Sequence, residues 1–146
     1  RILLLGVVVW MSFRQISELA LINTKPDGRT QIYRAIAEWL YTNTPHHASV
    51  GTLEVGVIGY YSQRPIIDFA GLIQPAVAAR LDRHTTYADT ALWAAQNYQP
   101  DYLVLHDGAF PALEQDYVAQ RCRPVQHFPA VTYGYNTNMT VYVCTQ

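Results

Sequence analysis

DYLVLHDG, Asp101 to Gly108, decides the fold class. It is a continuous apolar run closed by an Asp-Gly turn signal, the pattern of a strand covered on both faces. Such a strand requires helices above and below it, so strands and helices should alternate along the rest of the chain. Upstream, Pro26-Asp27-Gly28 is a turn signal, and Asp27 can cap a helix by accepting from a free backbone N–H. Ile32, Ala35, Ile36, Trp39 and Leu40 then recur at i, i+3, i+4, i+7 and i+8, the apolar face of an amphipathic helix. Asn43-Thr44-Pro45 ends it, because the residue before proline is pushed out of the helical region.

Ser49 to Leu53 reads as a short strand, and glycine-dense Glu54 to Tyr61 as a tight connection or short helix packed closely on its neighbour. Pro65 to Phe69 is a second strand, closed by Ala70-Gly71, and Pro75 to Leu81 a short helix with proline in its first turn. A further amphipathic helix places Ala88, Leu92, Ala95 and Tyr98 on one side and stops at Pro100. Beyond the Asp101 strand, Pro111 opens a helix through Gln120. Val125 to Phe128 and Met139 to Cys144 are closing strands, with PAVTYGYNTN between them as a loop or hairpin. This order predicts an α/β three-layer sandwich. Its central sheet would be mostly parallel and Rossmann-like, with an antiparallel edge from the last strands.

A length of 146 residues suits one such domain, and a half-hydrophobic composition supplies its core. The net charge of −1 leaves no basic field to hold a nucleic acid, so none is expected as a partner. Cys122 and Cys144 are too few for a disulfide scaffold and lack zinc-ligand spacing. They can bond only if the fold brings their Cα atoms within about 7 Å.

The most apolar run is ILLLGVVVW, Ile2 to Trp10, extended by Met11 to Phe13. It is shorter than the about 20 residues that cross a bilayer, and no small-residue cleavage site follows it. One reading makes it the end of a transmembrane helix, with Arg14 and Glu18 emerging into water and Trp10 at the lipid interface. The other makes it a buried strand or core helix. The first is preferred: residues 1–24 form an apolar segment and residues 25–146 a single α/β soluble domain. A start at Arg1 rather than Met fits a piece of a longer protein.

Open α/β sheets bind ligands at the carboxyl ends of their strands, which singles out Glu54, Asp68 and the pair His106-Asp107. Two carboxylates can act as acid and base only at a suitable separation. Asp68 could instead accept backbone N–H groups in the turn that follows it. The string GTLEVGVIG, Gly51 to Gly59, matches neither a dinucleotide fingerprint nor a P-loop, and Glu54 opposes an anion there. The five histidines show no metal-ligand spacing, so no metal and no cofactor are expected. Among the 11 tyrosines, Tyr60 and Tyr61 can stack on a sugar or lie at a lipid boundary. The candidate ligand-binding residues are therefore Glu54, Tyr60, Tyr61, Asp68, His106 and Asp107, and no residue is assigned as catalytic.

Several short motifs stand in a recognisable order: Trp39-Leu40 before a proline, Glu54-x-Gly56-x-x-Gly59-Tyr60-Tyr61, then Asp68-x-x-Gly71-Leu72. From Ile32 to Pro75 the chain resembles the C-terminal soluble region of bacterial polytopic GT-C-type membrane glycosyltransferases. These belong to the dolichyl-phosphate-mannose protein mannosyltransferase-like superfamily. The resemblance implies an extracytoplasmic accessory domain on the cell membrane whose partner is the membrane half of the same polypeptide. The sugar donor would be polyprenyl-phosphate-linked, and the catalytic acidic residue would sit in the membrane half. Two rival functions remain: a sugar- or small-ligand-binding module without activity, and a free-standing enzyme using His106, Asp107, Glu54 or Asp68.

Overall fold

The computed structural model describes residues 2–24 and 27–145; Arg1 and Pro26, which the sequence reading used, lie outside them. In chain order the helices are α1 (Ile2–Thr24), α2 (Gly28–Asn43), α3 (Val55–Ser62), α4 (Pro75–Ala78), α5 (Tyr87–Tyr98), α6 (Pro111–Leu113), α7 (Ala119–Arg121) and α8 (Ala130–Tyr133). A π-helical stretch, Glu114–Val118, joins α6 to α7. The strands are β1 (Val50–Thr52), β2 (Ile66–Asp68), β3 (Tyr102–His106), β4 (Cys122–Phe128) and β5 (Met139–Cys144).

The local signals explain most of these elements. The Asp27 carboxylate caps α2, accepting from Arg29 N at 3.2 Å and Thr30 Oγ1 at 3.0 Å. Ile32, Tyr33, Ile36, Ala37 and Leu40 form the buried face of α2, and Thr44 leaves the helix in an extended conformation before Pro45. Helix α5 starts in a capping box of Thr86 and Asp89. Its buried face is Thr90, Ala91, Ala94 and Ala95, rotated from the expected one so that Tyr98 is exposed. The small residues let α5 approach the sheet closely, and the Thr90 hydroxyl donates to the Phe69 carbonyl at 2.9 Å.

The five strands form one open mixed sheet in the order β2-β1-β3-β5-β4. Strand β1 runs parallel to β2 and β3, whereas β5 is antiparallel to both β3 and β4. This corrects the expectation of a mostly parallel sheet, while the antiparallel edge expected from the last strands is present as the β5–β4 pair. Strand β5 inserts beside β3 and displaces β4 to the edge, and the antiparallel ladders are the longer ones. Both rims are short or irregular: β2 has 3 residues, and β4 carries Pro124 with a register slip between Pro124 and Gln126.

Alternating residues of β3 face opposite sides, as a pleated strand requires. Val104 joins Ile32, Ile36, Leu40, Val50, Ile58, Met139 and Val141 in one hydrophobic cluster. Leu103 and Leu105 join Phe69, Val77, Ala91, Ala94, Ala95 and Leu113 in another. Gly51 of β1 is required by the second cluster, since a Cβ there would lie 2.7 Å from Phe69 Cζ and 2.8 Å from Leu103 Cδ2. Gly59 brings α3 close to β2, where an added Cβ would stand 3.0 Å from Ile66 Cγ1. Gly56 has no such neighbour within 4 Å.

Helix α1 runs 23 residues straight through Arg14-Gln15. Arg14 and Glu18 lie one turn apart with 3.7 Å between their charged groups, which a helix accommodates readily. Leu4, Leu5, Val7, Val8, Val9, Trp10, Met11, Phe13, Ile16 and Leu19 are all more than half exposed, so this segment is not a buried core element. Among the described residues no helix is long and apolar enough to cross a membrane. At the other end of the chain a disulfide joins Cys122 to Cys144, directly paired across β4 and β5 with Cα atoms 4.0 Å apart.

Candidate functional site

Strands β1, β2, β3 and β4 all point the same way, so their carboxyl ends share one edge of the sheet. The end of β3 delivers His106 to that edge, and the turn after β1 delivers Glu54. Helix α2 contributes Tyr33 from its buried face, and the turn after α8 contributes Tyr135. The Tyr33 hydroxyl lies 3.2 Å from His106 Nε2 and 3.1 Å from the Tyr135 hydroxyl, and His106 Nε2 lies 3.3 Å from Tyr135. The three rings meet edge-on or tilted, and Arg29 stands 5.9 Å from the centre of the Tyr33 ring.

Electrostatics sets the protonation of this cluster. Burial, hydrogen bonding to Tyr135 and Glu54, and the Glu54 charge all raise the Tyr33 phenol well above its usual range. Tyr33 is therefore a proton donor and not a phenolate. Burial lowers the His106 imidazole below its ordinary value, with Arg29 adding to the effect and the Glu54 and Asp107 carboxylates opposing it. A neutral imidazole, two phenols and a carboxylate can exchange hydrogen bonds with a hydroxyl-rich ligand or relay a proton. None of the four is a nucleophile of the serine or cysteine type.

The His106 shift has a pH consequence. Because the folded state resists protonation, its stabilising effect is complete above the unfolded value of 6.5. It is lost as pH falls from there through the lower folded value. Urea unfolding of wild type and His106→Gln across pH 7.5 to 5 should show a wild-type decline that the variant lacks. Parallel curves would refute the assignment.

Asp107 turns to a different group. It accepts from Thr140 Oγ1 at 2.7 Å, and His127 Nδ1 lies 3.1 Å from the same hydroxyl and 3.7 Å from Asp107 Oδ2. The hydroxyl proton goes to the carboxylate, so His127 donates to Thr140. Asp68 is fully buried, and its two oxygens accept from Ala70 N at 2.8 Å and Ile73 N at 2.7 Å. It is the turn-building carboxylate that the sequence allowed for. Tyr60 and Tyr61 stack edge-on at the far end of α3, six residues or about 9 Å of helix from Glu54. Arg34 covers the Tyr61 ring at 4.9 Å. The edge thus gathers Glu54 and His106, with Asp107 beside them, and leaves Asp68, Tyr60 and Tyr61 outside the cluster.

A family model described as a domain of unknown function, DUF8728, matches residues 17–142. The chain belongs to that family. No curated protein and no solved structure matches it. The DUF8728 match takes in every member of the cluster together with Asp68, Cys122 and the last part of α1. Sequence reading missed Tyr33, Tyr135 and Thr140 as site residues. The one available sign was Tyr33, a polar-tipped side chain placed beside Ile32 on the buried face of α2.

Within the DUF8728 domain, Asp68→Asn should lower stability by about 2 kcal/mol, because an amide presents a donor to one of two buried N–H groups. Chemical denaturation measures the loss, and a change within error would remove Asp68 from its structural role.

Proposed function

We propose that this chain is an extracytoplasmic accessory domain of a membrane glycosyltransferase that uses a polyprenyl-phosphate-linked sugar, without catalysis of its own. The observation that carries the reading is α1: ten large apolar side chains are more than half exposed along one helix, a surface suited to lipid and not to water. Trp10 on that helix suits the interface between them. The Cys122–Cys144 disulfide supports an oxidising compartment, which the outer side of the cytoplasmic membrane provides. The ordered motifs from Trp39 to Leu72 resemble the membrane glycosyltransferase superfamily and support the same reading. In architecture we take the domain as a three-layer, Rossmann-like sandwich, supported by hydrophobic clusters on both sides of β3.

The test uses membranes carrying the complete gene product and a radiolabelled polyprenyl-phosphate-linked sugar. Transfer is expected in those membranes, with no turnover by the purified chain alone. Glu54→Gln and His106→Gln are expected to slow transfer several-fold at unchanged protein levels. Turnover by the isolated chain that His106→Gln abolishes would overturn the reading in favour of a free-standing enzyme. A second reading, a sugar-binding module, is favoured by the Glu54–Tyr33–Tyr135–His106 cluster; calorimetric binding of a free sugar that His106→Gln abolishes, together with no transfer in the membranes, would select it.

A further inference from the structure

We infer that the carboxyl edge of the sheet is a membrane-docking face, which seats on the lipid–water interface through apolar tips at both of its ends. The inference rests on the membrane reading above and adds which face of the domain meets the bilayer.

At one end, the loop after β2 presents Leu72 and Ile73 to solvent, 77% and 65% exposed. This loop is not slack chain that happens to carry aliphatic residues. The buried Asp68 carboxylate holds Ala70 N and Ile73 N, and Gln74 Oε1 accepts from Asp68 N at 3.0 Å. Gly71 takes a left-handed φ of +73°, and a Cβ there would meet Ala78 N at 2.6 Å. A buried charge and a required glycine therefore fix two large aliphatic side chains in an outward position.

At the other end, α8 follows β4 and presents Val131, 88% exposed. Strands β2 and β4 are the two rims of the sheet, four strand spacings or about 19 Å apart. Between the apolar tips lie Glu54, His106 and Tyr135, a polar centre suited to headgroup depth, with the buried Tyr33 hydroxyl bonded behind them. Aromatic rings with polar tips prefer that layer.

The occupant is a bilayer because the same edge receives the apolar helix. The first residue of α2, Gly28, packs against the end of α8 so tightly that a Cβ would run into the Gly134 carbonyl. Asp27 caps α2 there, only three residues beyond the end of α1 at Thr24. The lipid-suited helix thus joins the domain at the edge that carries Leu72, Ile73 and Val131. One flat apolar layer can take all three points at once.

The test places nitroxide labels on Val8→Cys, Ile73→Cys, Val131→Cys and Gln96→Cys, each with the native disulfide intact. The whole chain is reconstituted in vesicles of phosphatidylethanolamine and phosphatidylglycerol, and power saturation reads oxygen against nickel-chelate accessibility. Labels at 73 and 131 are expected to show a several-fold higher oxygen-to-nickel ratio than the label at 96. If Val8 lies in lipid while either 73 or 131 stays in water, the docking face is refuted and the anchor stands. Immobilised labels at 73 and 131 that remain shielded from both lipid and oxygen would refute it in favour of a protein partner. A Val8 label in water would refute both the docking face and the membrane reading.

Discussion

Arg64→Ala should lower stability by about 4 kcal/mol, the largest loss expected from any single substitution here. Arg64 is 7% exposed, and its guanidinium donates to Thr44 Oγ1 at 2.9 Å and to the carbonyls of Ser62 (3.0 Å), Tyr41 (2.7 Å), Thr44 (2.9 Å) and Leu40 (3.4 Å). Three of these carbonyls close the C-terminal end of α2, where the helix dipole favours a positive charge. The side chain therefore ties α2 to the segment between α3 and β2 and satisfies the carbonyl oxygens gathered around it. Truncation leaves several of them orphaned, each costing about 1–3 kcal/mol before relaxation. Arg64→Lys should recover only part of the loss, because an ammonium cannot reproduce the planar fork. Thermal unfolding would register the alanine variant as a fall of roughly 10 °C. A fall of only a degree or two would mean that water replaces the guanidinium, contrary to the burial seen.

The second large effect is loss of the disulfide. Cys122 and Cys144 are 22 residues apart, and closing a loop of that size restricts the unfolded chain by about 3 kcal/mol. The double variant Cys122→Ala/Cys144→Ala should lose about that free energy of unfolding, read as a lower urea midpoint, with reductant moving the wild type to the same place. The effect should be concentrated in the β4–β5 hairpin, whose amides should exchange faster. If reductant leaves the wild-type midpoint unmoved, the bridge contributes nothing to the fold in solution.

Helix α2 and strand β3 were legible in the sequence because each writes its burial into a local period. One has the i, i+3, i+4 face of Ile32 to Leu40, the other the unbroken run Tyr102 to Leu105. Helix α8 was not, since AVTY is too short to show a period. The start of β4 was hidden because Pro124 reads as a breaker, yet an edge strand tolerates a residue with no N–H. Where β5 inserts is a tertiary choice, and nothing in MTVYVC records that its neighbours are β3 and β4.

The candidate site divides in the same way. Glu54 and His106 could be named because strand ends are where sheets expose chemistry. Tyr33 and Tyr135 are 73 residues and 29 residues from His106 in sequence, and only the packing of α2 and the turn after α8 unites them. For Asp68 both roles stayed open, because position alone cannot tell a ligand-binding group from one that builds its own turn. Its bonds to Ala70 N and Ile73 N show the turn-building role, which only the folded chain displays.

The brevity of β2 and the proline and slipped register of β4 bear on crowding. A rim that offers few consecutive free amide and carbonyl groups is a poor template for another copy's backbone. Many such domains could stand side by side at high local density without zipping into fibres.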